Sequence, residues 1–382
     1  MFDAIVIGLG GMGSAAACHL ASRGSRILGI EQYDPPHDRG SSHGSSRIIR
    51  QAYHENPAYV PLVLRAYELW EKLERDTGES LLQLTGGLMI GPPGSSVVQG
   101  TIASAEQHRL PYEVLSAPEL HRRFPPLEPR ANETSVYESK AGFVRPEAAV
   151  AAHLEEAIRH GAKLHFREQV LEWSASGDRS AVRVKTGHRT YEAEHLIICP
   201  GAWAPELLSE LEVPFEIRCH AMCWFEPVAM RDAFLADRFP IYIWDVNGRD
   251  VFYGFPALDG PTGGVKAAMH SGGAQCAPGS LDHHPVTADE DELRSHLRQF
   301  IPALNGPLLR AKTCMYTLTP DEHFVVSLHP ESPRVVVAAG FSGHGFKFTP
   351  VIGEILADLV TEGTTRHPIE FLSPSRFRVV RK

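Results

Sequence analysis

The chain opens with an apolar run at residues 4–7 that leads directly into glycines at positions 8, 10 and 13. Small, helix-favouring residues follow at 14–21, and Gly24 is a natural end for that helix. A second apolar run at 27–30 ends at Glu31. This pattern predicts a strand, a tight glycine turn, a helix and a second strand, a unit typical of dinucleotide-binding α/β folds.

Apolar positions further along the chain predict more elements of this kind. Helical periodicity predicts two amphipathic helices, 61–75 and 146–161, and a third helix, 350–359, is predicted after a glycine-rich turn. Continuous apolar runs predict buried strands at 195–199 and 334–339, each of which ends in a glycine turn.

The region between residues 215 and 314 has a different character. Strand-like pieces at 241–244 and 251–254 are joined by Gly- and Pro-rich loops, which indicates a mixed, largely antiparallel sheet. We therefore predict an α/β fold (α+β, two domains) with a Rossmann-like domain and a second, β-rich substrate domain. The first is discontinuous (1–86, 145–217 and 323–382), and the second comprises 87–144 and 218–322.

The glycine turn carries the first chemical prediction. Gly8 allows the tight turn, Gly10 lets the backbone approach a pyrophosphate, and Gly13 lets helix and strand pack closely. The start of the helix attracts phosphate charge. An acid at position 31 can accept hydrogen bonds from a ribose hydroxyl and disfavours a 2′-phosphate, so NAD or FAD is expected rather than NADP.

Composition narrows the class of protein. A chain of 382 residues exceeds the size of one core, which favours two domains. The net charge of −9 argues against a nucleic-acid or anionic-membrane partner, and no apolar stretch is long enough to span a bilayer or act as a signal peptide. The six scattered cysteines, with no CxxC pair, favour reduced thiols in a cytoplasm over a disulfide framework or a metal site.

Two clusters of polar residues are candidates for chemistry. Arg47 and Arg50, with His43, follow a Gly-rich loop and could hold a carboxylate, although two solvated surface arginines would give the same pattern. Lys266 and His270 are spaced to share one face of a strand, where the lysine could be a fixed charge or a base with a shifted pKa. An exposed pair on an edge strand is the alternative.

The third cluster lies near the end of the chain. Cys314 and Tyr316 precede a Gly-rich loop at 340–345 that runs into Lys347. The lysine is either an anion contact or a surface side chain, and a single cysteine is usually a small buried apolar residue. From the residues alone, the loop ranks above the cysteine.

Several motifs taken together resemble the monomeric sarcosine oxidase and N-methyltryptophan oxidase family, and the resemblance extends along the whole chain. The motifs are the glycine turn at 8–13, Pro-Pro-His at 35–37, the His-Gly-Ser-Ser-Arg-Ile-Ile-Arg run at 43–50, Tyr-Gly-Phe-Pro at 253–256, Cys-Met-Tyr-Thr at 314–317 and Ser-Gly-His-Gly-Phe-Lys at 342–347. The resemblance implies FAD, attached covalently to Cys314 through the flavin 8α-methyl group.

The resemblance also implies roles for the side chains. Arg50 and Lys347 would hold the substrate carboxylate, and Lys266 would activate dioxygen. The implied catalytic residues are Lys266, Arg47, His270, Tyr253 and His43, with Tyr253 and His270 on the amine side of the pocket. The implied cofactor-binding residues are Gly8, Gly10, Gly11, Met12, Gly13, Glu31, Gln32, His37, Ser42, His43, Ser46, Arg47, Ile49, Val170, Gly201, Trp203, Cys314, Tyr316, Gly340, Gly343, His344, Gly345 and Lys347.

The expected activity is oxidative N-demethylation of an N-methyl amino acid, with dioxygen as acceptor and formaldehyde and hydrogen peroxide as products. Two alternatives stay open: oxidation of a cyclic secondary amino acid such as pipecolate or proline, and a flavin dehydrogenase that uses another acceptor. The charge, the apolar runs and the cysteine pattern predict a cytoplasmic protein without nucleic-acid, membrane or metal partners, and the resemblance favours a monomer. Trp224, Trp244 and Phe252 are either the aromatic lining of a pocket or core residues.

Overall fold

The computed structural model describes residues 1–175, 181–260, 262–279 and 286–377. Within these ranges the strands are β1 Phe2–Ile7, β2 Ile27–Ile30, β3 Arg47–Ile49, β4 Leu82–Leu84, β5 Gly87–Gly91, β6 Glu113–Ser116, β7 Thr134–Glu138, β8 Gly142–Val144, β9 Lys163–His165, β10 Val170–Ala175, β11 Val182–Thr186, β12 Thr190–Ile198, β13 Glu216–Phe225, β14 Ile241–Asp245, β15 Val251–Ala257, β16 Val265–Met269, β17 Ala274–Gln275, β18 Leu308–Leu318, β19 Val325–His329 and β20 Ser332–Ala339. The α-helices are α1 Gly11–Ser22, α2 Val60–Thr77, α3 Ser96–His108, α4 Ala117–Arg123, α5 Pro146–Arg159, α6 Ala204–Leu207, α7 Val286–Phe300 and α8 Thr349–Thr361.

The first sheet is the predicted nucleotide-binding sheet. Its strand order is β10-β11-β12-β1-β2-β9, and β20 pairs with the second half of β12. The pairs of β1 with β2 and β12, of β2 with β9 and of β12 with β20 are all parallel. Helices α1, α2, α5 and α8 cover one face in a single apolar cluster. The Rossmann-like prediction is therefore confirmed, as are the helices predicted at 61–75, 146–161 and 350–359.

The second sheet has the order β17-β13-β16-β15-β14-β5-β7-β6, with β18 paired to β13. Every pair is antiparallel except β14 with β5. This agrees with the predicted mixed, largely antiparallel sheet. A third sheet, β3-β8-β4, carries Arg47 at the start of β3. The domain boundaries at 86, 144, 217 and 322 stay predictions, although sheet membership changes close to them.

The prediction that all cysteines are reduced is wrong for two of them. Cys219 and Cys276 form a disulfide across 57 residues of sequence. Their strands explain the pairing: Cys219 lies opposite Ala274 in the ladder of β13 and β17, and Cys276 follows β17 directly. Sequence spacing carries no signal of such a contact, because the neighbouring strands are far apart along the chain. The free cysteines are Cys18, Cys199, Cys223 and Cys314.

Trp224, Trp244 and Phe252 were predicted to line a pocket or to belong to the core, and their packing settles this for two of them. Trp244 and Phe252 stack on each other with 5.7 Å between ring centroids and belong to the apolar core of the second sheet. Trp224 is different, because it lies beside Lys266 and packs against Cys314 and Tyr316. None of the helices in the described ranges combines the length and the apolar character needed to cross a membrane.

Candidate active site

A cleft of about 260 Å³ lies at the carboxyl ends of the parallel strands, where β1 leads into α1. Twelve predicted cofactor residues line it: Gly8, Gly10, Gly11, Met12, Gly13, Glu31, Gln32, His37, Ser42, Val170, Gly201 and Trp203. The carboxylate of Glu31 accepts the backbone N–H groups of Leu9 at 2.8 Å and Tyr33 at 3.1 Å. These bonds fix the carboxylate at the end of β2, where it can meet a ribose.

Each glycine of the turn is required for a different physical reason. Gly8 has φ +81°, and a Cβ there would lie 2.3 Å from the carbonyl oxygen of Cys199. A Cβ on Gly13 would lie 1.8 Å from the oxygen of Gly8, so glycine is required for helix–strand packing. A Cβ on Gly10 would have nothing closer than Ser42 Oγ at 3.7 Å. The space beside Gly10 therefore belongs to the cleft and suits a pyrophosphate.

Buried polar atoms without hydrogen-bond partners lie on the segment that follows the cleft residues Ser41 and Ser42. Both ring nitrogens of His43 and the hydroxyl of Ser46 are buried and make no hydrogen bond within the described protein. Burial and nearby Arg47 lower the pKa of His43 to about 3, so its ring is neutral. Unpaired buried groups of this kind are costly in the absence of a ligand. Together with the glycine turn, they fit the polar atoms of FAD.

A smaller pocket of about 60 Å³ lies beyond these residues. It collects side chains from distant parts of the sequence, including predicted residues of all three clusters. The predicted residues that line it are Arg47, Arg50, Tyr253, His270, Tyr316, Gly343, His344 and Lys347. Ile48, His54, Glu55, Ile243, Phe255 and Phe346 also line it and were not predicted.

Arg50 is a buried cation at one end of this pocket. Its side chain is 1% exposed and lies over the ring of Tyr53, 4.3 Å from the centroid. Its Nη1 donates to the carbonyl of Ala52 and its Nη2 to Glu55, both at 2.6 Å. The remaining Nε is buried without a partner. The alternative of a solvated surface arginine is excluded, and the Nε–H is among the donors left for a ligand.

Lys347 is held beside Arg50 by a directional network. Its ammonium donates to the carbonyl of His344 at 2.6 Å and to the Tyr53 hydroxyl at 3.4 Å. The hydroxyl lies 2.5 Å from His344 Nδ1, and His344 Nε2 lies 3.0 Å from the carbonyl of Glu322. A carbonyl only accepts, so His344 carries its proton on Nε2 and Tyr53 donates to Nδ1. Burial, reinforced by Arg50, lowers the pKa of Lys347 to about 7.

Lys266 lies in the middle of the second sheet, not on an exposed edge. Its ammonium donates to the carbonyls of Gly44 at 2.8 Å and Ser46 at 2.7 Å and lies 4.1 Å from the Phe255 ring centroid. Burial, reinforced by Arg47, lowers its pKa well below the usual range. His270 is the residue directly after β16, and its pKa is also lowered by burial.

Cys314 lies at the junction of the cleft and the pocket. Its sulfur is 3.3 Å from Arg47 Nη2 and 3.7 Å from the carbonyl of Ser41. Tyr316, two residues further along β18, has its hydroxyl 3.4 Å from that of Tyr253. Burial raises the pKa of both tyrosines, so both keep their protons. Cys314 thus faces the polar site, which a merely apolar cysteine would not do.

Three predicted residues pack in the surroundings of the site. Ile49 is fully buried in the apolar core under the first sheet. A Cβ on Gly340 would meet the Thr319 methyl at 2.5 Å, and one on Gly345 would meet the Phe341 ring at 2.5 Å. These positions shape the backbone of the loop that carries Lys347. Their assignment as cofactor contacts stays a prediction.

An outer cavity of about 810 Å³ adjoins the pocket. The two share His54, Glu55, His270, Tyr316 and His344 as lining residues. The outer cavity and the pocket with Arg50 and Lys347 are therefore separated only by these five side chains. Glu55 could have been suspected from the sequence, since an acid follows Arg50 by five positions, but nothing there indicated that it faces the arginine.

The sheet, the glycine turn and the cleft define a flavin-type oxidoreductase, and the chain belongs to the FAD dependent oxidoreductase family, which matches residues 3–359. It is 53% identical to the monomeric sarcosine oxidase of Streptomyces avermitilis, over 98% of this chain and 97% of that protein. It is 35% identical to the N-methyl-L-tryptophan oxidase of Yersinia pestis, over 99% and 100%. Among solved structures, NikD, an unusual amino acid oxidase essential for nikkomycin biosynthesis, has a TM-score of 0.84 and 25% identity over 98% of this chain and 97% of its own.

Proposed function

We propose that this protein is a flavin-dependent oxidase that removes the N-methyl group of an amino acid. The reaction consumes the N-methyl amino acid, dioxygen and water and yields the primary amino acid, formaldehyde and hydrogen peroxide. The observation that carries the proposal is the pair of buried cations, Arg50 and Lys347, facing one pocket beside the FAD cleft. The names of the two curated relatives support a substrate of the sarcosine or N-methyl-L-tryptophan type.

The chain's residues hold the substrate at both ends. Arg50 and Lys347 bind the carboxylate through charged N–H donors, among them Arg50 Nε, which is buried without a partner. When bound, FAD would accept the two electrons of a substrate C–H bond beside the nitrogen, so that C–N becomes C=N, and would pass them to dioxygen. Gly8, Gly10, Glu31 and their neighbours in the cleft hold its dinucleotide part.

The amine end of the pocket carries neutral groups. His270 lies 5.7 Å from the Tyr316 ring and 6.3 Å from the Tyr253 ring, measured between centroids. Because burial lowers its pKa, His270 is neutral and can accept a hydrogen bond from the substrate amine without adding charge to the pocket. The protonated tyrosines remain hydrogen-bond donors. This arrangement favours the uncharged amine, the form that can be oxidised.

Dioxygen would react beside Lys266. A buried ammonium stabilises negative charge that develops on oxygen, and the low polarity around Phe255 and Trp224 strengthens that effect. Arg47 lies on the same side and shares the carbonyl of Ser46 with Lys266. We assign Lys266 to the reaction with oxygen and Arg47 with His43 to the flavin.

We also propose covalent attachment of FAD at Cys314. Cys314 is a free thiol whose sulfur lies 3.3 Å from Arg47 Nη2, and its nearness to a residue that we assign to the flavin supports this attachment. Acid precipitation tests this directly: a yellow pellet with a colourless supernatant is expected, and Cys314→Ser should release the colour into the supernatant. A yellow supernatant from the unaltered protein would leave FAD bound without a link and remove this role from Cys314.

The substrate test measures peroxide and formaldehyde with sarcosine, N-methyl-L-tryptophan, L-pipecolate and L-proline. We expect equal amounts of formaldehyde and peroxide from an N-methyl substrate. Peroxide without formaldehyde would indicate a cyclic substrate, and flavin reduction without oxygen consumption would indicate a dehydrogenase. As a check of the carboxylate site, Arg50→Ala should raise KM by about 10- to 100-fold, because a charged hydrogen bond contributes about 1.5–3 kcal/mol.

The proposal includes dioxygen as acceptor, a monomer and a cytoplasmic location. Dioxygen and the monomer come from the resemblance, and the cytoplasmic location rests on the scattered cysteines, of which Cys219 and Cys276 form a disulfide. Size-exclusion chromatography with light scattering checks the monomer, for which a mass of 42.1 kDa is expected before FAD is added.

A further inference from the structure

We propose that Glu147 and Glu138 are positioning residues, each of which holds one active-site cation through a short stretch of backbone. Glu147 positions Lys266, and Glu138 positions Arg50. The inference deepens the proposed function and rests on it, because the two cations are assigned there to oxygen and to the substrate carboxylate. Neither glutamate lines the pocket.

Glu147 lies in the first turn of α5, and its carboxylate accepts two consecutive backbone N–H groups. Its Oε1 accepts from Gly44 at 2.6 Å, and its Oε2 accepts from Ser45 at 3.1 Å. Both residues have left-handed backbone, with φ +93° at Gly44 and +68° at Ser45. A serine at such a φ is uncommon and costs free energy. The carboxylate compensates by holding both N–H groups in that turn.

The carbonyls of the same turn bind the lysine. Gly44 and Ser46 offer the two oxygens that accept from Lys266, at 2.8 and 2.7 Å. The Gly44 carbonyl belongs to the peptide whose N–H, that of Ser45, binds Glu147, so the carboxylate polarises that peptide and strengthens its carbonyl as an acceptor. The Ser46 carbonyl follows directly in the turn that Glu147 holds. Lys266 therefore keeps a fixed position without direct contact with a carboxylate, which would occupy the ammonium and screen its charge from a ligand.

Charged groups from three elements act on Lys266. Arg47 on β3 and Arg310 on β18 lower its pKa, in addition to the larger effect of burial. Glu147 on α5 and Cys314 on β18 raise it. Glu147 is thus a carboxylate that favours the charged lysine, and it is in contact with the loop that holds the ammonium.

Glu138 repeats this arrangement at the other cation. It is the last residue of β7, is 1% exposed, and accepts the N–H groups of Gln51 at 2.6 Å and Ala52 at 2.7 Å. The carbonyl of Ala52 in turn accepts from Arg50 Nη1 at 2.6 Å. Glu138 therefore holds one side of the guanidinium through the backbone, while Glu55 occupies the other side directly.

The chain contains a matched control for both residues. Glu74 also accepts two consecutive backbone N–H groups, those of Leu81 at 2.7 Å and Leu82 at 2.9 Å. The carbonyl of Leu81 binds the backbone N–H of Arg145 instead of an active-site side chain. Glu74→Gln therefore removes the same kind of interaction at a place where no positioning effect is expected.

The experiment compares E147Q, E138Q and E74Q as holoenzymes. Two quantities are measured: the Kd of methoxyacetate, a carboxylate without an amine, from the perturbed flavin spectrum, and the rate at which oxygen reoxidises the reduced enzyme. E138Q should raise the Kd about tenfold or more and leave reoxidation within about twofold. E147Q should slow reoxidation about tenfold or more and leave the Kd within about twofold. E74Q should change neither.

A third measurement is independent of turnover. The carbon beside the ammonium of Lys266 is followed by NMR in protein with labelled lysine, with Lys266→Met identifying the signal. E147Q should lower the pH midpoint of that signal by about one unit or more relative to the unaltered protein. If E147Q does not fold, the pair S45G and S45G/E147Q replaces it, since glycine adopts the left-handed turn without cost.

Failure of the inference and failure of the proposed function give different results. If sarcosine and its analogues are not oxidised while the NMR midpoint moves, the positioning role stands and the proposed function falls. If the enzyme is active but E147Q and E138Q alter both quantities together, or behave like E74Q, the positioning roles are refuted. An unchanged Lys266 midpoint in E147Q would overturn the role of Glu147 by itself.

Discussion

The titration of Lys347 makes the binding of carboxylates dependent on pH near neutrality. Burial and Arg50 lower its pKa to about 7, and Glu55 opposes them only in part. Burial lowers the pKa of His54 and His344 to about 3 and also lowers the pKa of His270 below its usual value, so the three histidines of the pocket are neutral where Lys347 titrates. A bound carboxylate favours the charged lysine. Affinity should therefore be constant below pH 7 and fall above it.

The magnitude follows from the fraction of Lys347 that is charged. With a pKa of about 7, half the lysine is protonated at pH 7 and about 1% at pH 9. If only the ammonium form binds, the Kd of a carboxylate rises about fiftyfold between these two values. The neutral amine still donates a hydrogen bond, so this figure is an upper bound.

The assay is a spectral titration of the holoenzyme with methoxyacetate from pH 6 to 9 at constant ionic strength. Methoxyacetate has no amine, so ionisation of the ligand does not contribute. Lys347→Gln provides the control and should bind more weakly with a Kd that hardly changes with pH. A flat Kd in the unaltered protein, or a slope that survives in Lys347→Gln, would refute the reasoning.

Three further perturbations test other parts of the structure. Lys266→Met should slow reoxidation of the reduced enzyme by oxygen about 100-fold while reduction by substrate changes little, as stopped-flow traces would show; equal slowing of both steps would contradict the assignment. Gly10→Ala should fold with nearly unchanged thermal stability but lose FAD. Gly13→Ala should lose about 1–3 kcal/mol of stability, since its Cβ would lie 1.8 Å from the Gly8 oxygen. If the two variants behaved alike, the assignment of the cleft to the FAD pyrophosphate would be refuted. Cys276→Ser should lower the free energy of unfolding by about 2–4 kcal/mol in denaturant titrations, and peptide mapping without reductant should find the link to Cys219.

The parts of the site that sequence predicted are those set by local rules. The glycine turn and Glu31 belong to one continuous unit, so their positions along the chain determine their geometry. Arg50 and Lys347 were candidate anion contacts from the residues alone, the resemblance assigned both to one carboxylate, and the structure brings them to one pocket. Their role in binding a carboxylate stays a prediction until it is measured.

The parts that sequence did not predict depend on pairing between distant strands. Cys219 meets Cys276 only because β17 lies beside β13. Glu138 reaches the backbone near Arg50 from β7, which is 87 residues further along the chain than Gln51. From the sequence, Trp244 and Phe252 could equally line a pocket or belong to the core, and the structure shows them in the apolar core of the second sheet. Patterns along a chain carry no information about such neighbours.

The first sheet also decides when the FAD cleft can be completed. Strand β1 is synthesised long before its parallel neighbour β12, which follows almost two hundred residues later, and β20 comes later still. Ala338 and Phe341, which line the cleft, lie near the end of β20 and just after it. A fragment that stops before β20 therefore lacks part of the cleft and is expected not to bind FAD.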